Sequence, residues 1–306
     1  MKLDVQKGVG YALVALSACC FALMPIFARI AYDSGVDTTT LLLGRFLIGG
    51  IFLAFLAWVK RSPLPPKKSW PVLFLLGLVG YAGTSFCYFS ALNHASASLV
   101  ALLLYAYPAL VVLLGFVIAH ENVSRNNLLA LMCASGGCML VIGLSGKGDW
   151  KGIALALSAA CVYSLYIILS SRVVGTRTAM AGSAFIILSA SVSYLCIALS
   201  KGVSLPESAL GVTATLAIAF FSTVVAFWSF FAGLGRIGAA KASLVSTLEP
   251  LVTVISAVLF LGEKLTLSIV AGGFLILAGL VISALPSKGA DSMQQYPAAA
   301  DDSSCR

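Results

Sequence analysis

Ten long, predominantly apolar runs dominate this 306-residue chain, and they leave it few ways to fold. They cover Gly8–Ile30, Thr39–Val59, Trp70–Leu92, Ala95–Ala119, Asn127–Leu144, Gly152–Ser171, Ala179–Leu199, Ala209–Leu234, Ala239–Leu261 and Thr266–Leu285. A helix needs about 20 mostly apolar residues to cross the hydrocarbon core of a bilayer. Lipid offers no hydrogen bonds to the backbone, so only helices and closed barrels can span it. Barrel strands are about ten residues long and alternate in polarity. These runs are longer and unbroken, so helices are expected. Only 10% of residues are charged, against roughly 25% in a soluble domain. Too few charges remain to coat a water-facing surface.

The net charge of +8 raises the question of nucleic acid, and its distribution answers it. With the amino terminus inside, thirteen basic residues fall in cytoplasmic segments and five at outer ends, while Arg45 is intramembrane. This is the positive-inside asymmetry of a membrane protein. It sets both termini in the cytoplasm and leaves no nucleic-acid patch. Seven of the eight cysteines lie within apolar runs and none forms a Cys-x-x-Cys pair, so they read as small packing residues. Leu16-Ser17-Ala18-Cys19 has the form of a lipoprotein cleavage box, but cleavage would remove most of span 1 and is not expected. Asn122-Val123-Ser124 matches a glycosylation sequon on the predicted cytoplasmic side, where it is accidental.

The runs repeat. Pro108 is followed thirteen residues later by Glu121, and Pro250 thirteen residues later by Glu263, an offset of 142 residues for both pairs. Lys7-Gly8-Val9 recurs as Lys151-Gly152-Ile153, and Ala91-Leu92 as Gly233-Leu234. Two halves of five spans align almost without gaps. Five is odd, so the second half must enter the membrane upside down relative to the first. The expected fold is therefore an all-α polytopic membrane protein of ten transmembrane helices, arranged as two inverted five-helix repeats over residues 8–144 and 151–285. Residues 286–306 read as a disordered cytoplasmic tail. Inverted repeats place a binding site between the halves near the midplane.

Two segments, Tyr88–Gly143 and Phe230–Leu285, each resemble the EamA domain of the drug/metabolite transporter superfamily. In the first the matching residues are Ala91-Leu92, Pro108, Glu121 and a glycine-rich last helix. In the second they are Gly233-Leu234-Gly235-Arg236, Leu248-Glu249-Pro250, Leu261-Gly262-Glu263-Lys264 and Gly272-Gly273. Arg45 also fits. The first copy departs at Tyr107, where the second has Glu249, and at His120, where the second has Gly262. The resemblance covers about residues 8 to 285. It implies ten helices in two inverted repeats and transport of small metabolites, commonly amino acids and often outward.

Glu249 is the only acidic residue deep in a span. A charge there costs roughly 2.5 to 3.5 kcal/mol on insertion scales, so it should face a cavity or a partner. Ser246, Glu249, Thr253 and Ser256 share one helical face. Pro250 lacks an N–H and frees the Ser246 carbonyl on that face. The resulting acceptor-rich strip suits an ammonium group or a proton, and proton exchange at Glu249 is the expected coupling step. The bland alternative is a protonated glutamate that fixes helix packing. Tyr107 is the repeat-mate of Glu249, beside the kink expected at Pro108. Span 3 carries Tyr81, Thr84 and Tyr88 along one face, span 6 carries Tyr163 and Tyr166, and span 8 carries Trp228 near its centre. Aromatic residues usually gather at the interfaces. At mid-depth their polar tips need partners, and together they predict an aromatic-lined pocket; ordinary helix packing explains each one singly. Arg45 either snorkels to the headgroups or meets a carboxylate. Glu121 and Glu263 are expected to cap helix ends or bond the facing repeat, with a solvated Glu263–Lys264 pair as the alternative.

No cofactor, metal site or catalytic cluster is expected, since the only histidines, His94 and His120, lie at helix ends. The favoured reading is a secondary transporter in a bacterial inner membrane, exporting amino acids or similar metabolites by alternating access with possible coupling to protons. Its expected partners are a small-molecule substrate, lipid and a proton, with no nucleic acid, as a monomer or homodimer. A non-transporting scaffold or regulatory subunit is the alternative, and a membrane-embedded enzyme the weakest one.

Overall fold

The computed structural model describes residues 2–107, 109–111, 113–114, 125–145, 149–171, 173–174, 178–237, 242, 245–246 and 248–284. Pro108, His120, Glu121, the sequon and the 286–306 tail lie outside these residues. Among the described residues the chain is all-helical. Six helical stretches are long and apolar enough to cross a bilayer, and four further apolar helices are shorter. Each of the ten overlaps a run expected from the sequence. The Thr38–Val59 helix, at 1.5 Å per residue, spans about 33 Å. Its start is fixed by Asp37, whose carboxylate accepts from the backbone N–H of Thr39 and Thr40.

Among the described residues four spans are interrupted, and the interruptions organise the bundle. Span 1 divides into Lys2–Ala22 and Met24–Asp33, where Pro25 removes one donor from the ladder. Span 3 contains a π-helical turn at Leu76–Tyr81, and span 8 contains another at Phe220–Val225. These two turns are 144 residues apart, the offset that relates Lys7-Gly8 to Lys151-Gly152. Span 4 leaves the helix after Leu104, whose carbonyl has no donor four residues on because proline at position 108 lacks an N–H.

Close approach between spans depends on glycine. A Cβ on Gly77 would collide with the Ile186 carbonyl, and one on Gly137 would come 2.7 Å from the Gly272 carbonyl oxygen. Small residues let backbones meet where lipid supplies no hydrophobic force between helices. Gly136, beside Gly137, faces open space.

Contacts between loops assign the ends of the spans. At one end Asn93 Nδ2 donates to Thr38 Oγ1 at 3.2 Å, and the Glu207 N–H donates to the Ser34 carbonyl at 3.1 Å. His94 Nδ1 lies 3.3 Å from Asp149 Oδ2 at the same end, beside the Trp150 start of span 6. The first turns of span 1 lie at the other end, where Gly10 packs against Arg236 and Ile237. Spans 1 and 6 thus enter the bundle from opposite ends.

Glu263 joins the two halves. Its carboxylate accepts from the Ala97 N–H at 2.6 Å and the Ser98 N–H at 3.2 Å, capping the Ala97–Leu104 helix together with the Ser96 hydroxyl. Negative charge belongs at a helix N-terminus, so this is a cap rather than a solvated pair with Lys264. Glu263→Gln removes the charge and one acceptor. It is expected to destabilise the detergent-solubilised protein by about 1 kcal/mol, read as a lowered thermal midpoint. Lys264→Gln is expected to leave that midpoint in place, and equal losses in the two variants would refute the cap.

Candidate functional site

The breaks in spans 3, 4 and 8 surround one group of polar side chains. Glu249 lies in the first turn of the Leu248–Leu261 helix and is half-buried. The Tyr105 phenol lies within interaction range of its carboxyl group. Tyr88, Tyr107 and Tyr163 lie near enough to interact with its charge. Spans 3, 4 and 6 therefore supply phenols to a carboxyl group carried by span 9.

The phenols continue as a row. Ring centroids are 6.0 Å apart for Tyr105 and Tyr107 and 4.8 Å for Tyr107 and Tyr163. They are 5.9 Å apart for the stacked Tyr163 and Tyr166 and 5.5 Å for Tyr166 and Tyr81. Such separations suit offset and edge-to-face aromatic pairs. Tyr81, Tyr107, Tyr163 and Tyr166 are each only half-buried although they face one another. They line an internal space. At the far end of the row Arg45 Nη2 donates to the Tyr81 hydroxyl at 3.4 Å.

The expected site residues divide into two groups. Glu249, Tyr81, Tyr107, Tyr163 and Tyr166 come together, with Tyr88 beside them. Thr84, Ser246 and Thr253 spend their hydroxyl protons on backbone carbonyls: Thr84 on Gly80 at 3.0 Å, Ser246 on Ala242 at 3.0 Å, and Thr253 on Glu249 at 3.0 Å and Ala22 at 3.2 Å. Trp228 is half-buried and makes no ring contact among the described residues. Its neighbour Phe227 instead stacks edge-on with Phe21 at 5.4 Å. Pro250 is buried in the first turn of its helix; Pro108 lies outside the described residues.

Sequence reasoning missed Tyr105. On a continuous helix Tyr105 and Tyr107 would point about 200° apart. They reach the same space because the helix ends at Leu104 and a turn occupies Tyr105–Ala106. Pro108 was the available signal. Tyr194 was missed too: it packs on Phe46 at 5.6 Å and donates to the Ala82 carbonyl at 2.6 Å. Arg45 does not snorkel. It is 3% exposed, with the Phe46 and Phe89 rings 5.1 and 5.4 Å from its Cζ.

In a cysteine-free background, single cysteines at positions 107, 163 and 166 are expected to react with a membrane-impermeant thiol reagent. A cysteine at position 89, fully buried here, is expected to stay unmodified. Protection at all three row positions would mean the space is dry.

Comparison with known proteins gives a consistent picture. The sequence model of the EamA-like transporter family matches residues 8–143 and again 150–285. The chain is 27% identical over 299 residues to the uncharacterized transporter YcbK of Bacillus subtilis (strain 168), covering 90% of this chain and 93% of the relative. It is 27% identical over 290 residues to the uncharacterized transporter YwfM of the same organism, covering 92% and 97%. A solved crystal structure of a protein superposes with a TM-score of 0.65 over 92% of this chain and 99% of its own, at 19% identity. That likeness shows a shared helical fold.

Proposed function

The chain belongs to the EamA-like transporter family, a family of membrane transporters, and we propose that it is a secondary transporter that exports amino acids or similar small metabolites across a bacterial inner membrane. In this reading ten spans form two inverted five-helix repeats, and rocking of one repeat against the other exposes the central space alternately to each side. The entry of spans 1 and 6 from opposite ends supports the inversion. So does the 144-residue offset between the two π-helical turns. The basic asymmetry supports cytoplasmic termini.

The observation that carries the reading is a carboxyl group at mid-depth, half-buried, with phenols from three other spans near enough to interact with its charge. A packing glutamate would be sealed from the interior space. Glu249 borders it, where it can exchange a proton with water on whichever side is open. Glu249 is the coupling group in this proposal, and the tyrosine row is the wall against which the solute lies.

The test is flux in proteoliposomes loaded with labelled amino acids, with a pH gradient on and off. Wild-type protein is expected to move at least one solute at a rate that responds to the gradient. Glu249→Gln is expected to flatten that response. A mutant whose pH–rate profile matches wild type removes the coupling claim. Absence of flux for every solute, together with stoichiometric co-purification of a partner, would favour a scaffold instead.

A further inference from the structure

Arg45 is a buried cation at membrane depth. Among the described residues no carboxylate lies within ion-pair distance of it. Its Nε donates to Thr223 Oγ1 at 3.3 Å and its Nη2 to the Tyr81 hydroxyl at 3.4 Å. Bonds from a guanidinium to a carboxylate run at about 2.7 to 2.9 Å, so these two are long, and both acceptors are neutral. A guanidinium has five N–H donors. Nη1 makes no bond to the described residues. Ser98 Oγ is the only sealed, unpartnered side-chain polar atom among those residues, so Nη1 keeps some accessible surface. The faces of Phe46 and Phe89 give partial compensation. A buried charge ordinarily has a charged partner, and none of the described residues supplies one.

We infer that Arg45 is the anchor for a carboxylate on the transported solute. This rests on the transport reading above and divides its labour. A planar, bidentate fork is suited to a carboxylate, and the tyrosine row begins at the fork with Tyr81 and leads away from it. A solute held at Arg45 lays its apolar or aromatic body on Tyr81, Tyr166 and Tyr163. Arg45 and Glu249 form no ion pair, and the row of phenols separates them. One charge recognises the solute and the other handles the proton. The substrate class is a small monocarboxylate or zwitterion with an apolar body; an amine lacking the carboxylate is excluded.

Arg45 also touches both π-helical turns. Thr223 belongs to Phe220–Val225 in one half and Tyr81 to Leu76–Tyr81 in the other. Thr223 passes its own proton to the Ile218 carbonyl at 3.2 Å, five residues back. An arriving carboxylate competes with one hydroxyl from each half for the same donors. Solute binding therefore acts on the irregular turn of both spans at once.

Calorimetric titration of the detergent-solubilised full chain tests this with L-phenylalanine, phenylacetate and phenethylamine, which share a ring and differ in charge. Wild-type protein is expected to bind the two carboxylates and to bind phenethylamine at least about tenfold more weakly. Arg45→Gln is expected to raise Kd for the two carboxylates on the order of tenfold or more relative to phenethylamine, with Arg45→Lys intermediate. Thr223→Val keeps Arg45 and deletes a competing acceptor, so it is expected to tighten phenylacetate several-fold, which a purely structural arginine would not do. The inference is overturned if wild-type protein binds none of the three or binds phenethylamine equally well. It is also overturned if Arg45→Gln weakens all three alike, or, where that variant fails to fold, if Thr223→Val leaves phenylacetate affinity unchanged or lower. Flux of L-phenylalanine in proteoliposomes reports on transport separately. Carboxylate-selective binding without flux would end the transport reading and leave the anchor standing.

Discussion

A backbone carbonyl inside a bilayer has no water to turn to, and the architecture of this protein derives from where such carbonyls are freed. A regular helix satisfies its own ladder. Each interruption leaves carbonyls without donors, and at membrane depth a missing partner costs several kcal/mol. Most of the hydroxyls that cross between spans converge on these places. Thr253 donates to Ala22 and Ser222 to Cys20, beside the break in span 1. Ser193 and Tyr194 donate to Leu78 and Ala82, in and just after the first π-helical turn. Ser17 donates to Ala226, just after the second. Ser164 donates to Tyr107, beyond the end of the Ala97–Leu104 helix. The irregular turns are thus held from outside their own spans, and a shift in one span alters the hydrogen bonding of its neighbour.

This coupling explains what the sequence made legible and what it hid. The positions of the apolar helices were readable because apolar length is a local property. The doubling of the chain was readable because Pro108 and Pro250, with Glu121 and Glu263, are rare residues at a fixed offset in an apolar background. The π-helical turns were hidden. Leu76-Gly77-Leu78-Val79-Gly80-Tyr81 and Phe220-Phe221-Ser222-Thr223-Val224-Val225 are apolar runs compatible with an ordinary helix. The extra residue per turn is sustained by Ser193, Tyr194 and Ser17, more than a hundred residues away. A pattern-based reading weighs only neighbours along the chain, so it had no access to those donors.

Arg45 shows the same division at a single residue. It stands seven residues into the Thr38–Val59 helix, about 10 Å from the helix start, a depth from which a long side chain can reach headgroups. Local sequence therefore left outward and inward orientations open. The inward one prevails because Phe46, Phe89, Thr223 and Tyr81 supply two aromatic faces and two acceptors, and three of those four come from other spans. Glu249 was legible for the opposite reason. No acidic residue can occupy mid-span without an enclosure, so its presence alone implied a space, though not that tyrosines would line it.

The two π-helical turns and the buried cation between them bear on how a bundle of this kind can move without exposing its backbone. A turn with i→i+5 bonding can revert to i→i+4 bonding by displacing one residue, which rotates the remainder of the span by about 100°. Such a change costs little in a span only when the freed carbonyl passes from one donor to another instead of to lipid. Thr223 already bonds a carbonyl five residues back, and Arg45 holds the same hydroxyl from the opposite side. One donor to a freed carbonyl is therefore already in place at this turn. Matching turns in the two halves are tied through one guanidinium. In the alternating-access reading, that shared bond is where solute occupancy and the tilt of the halves meet.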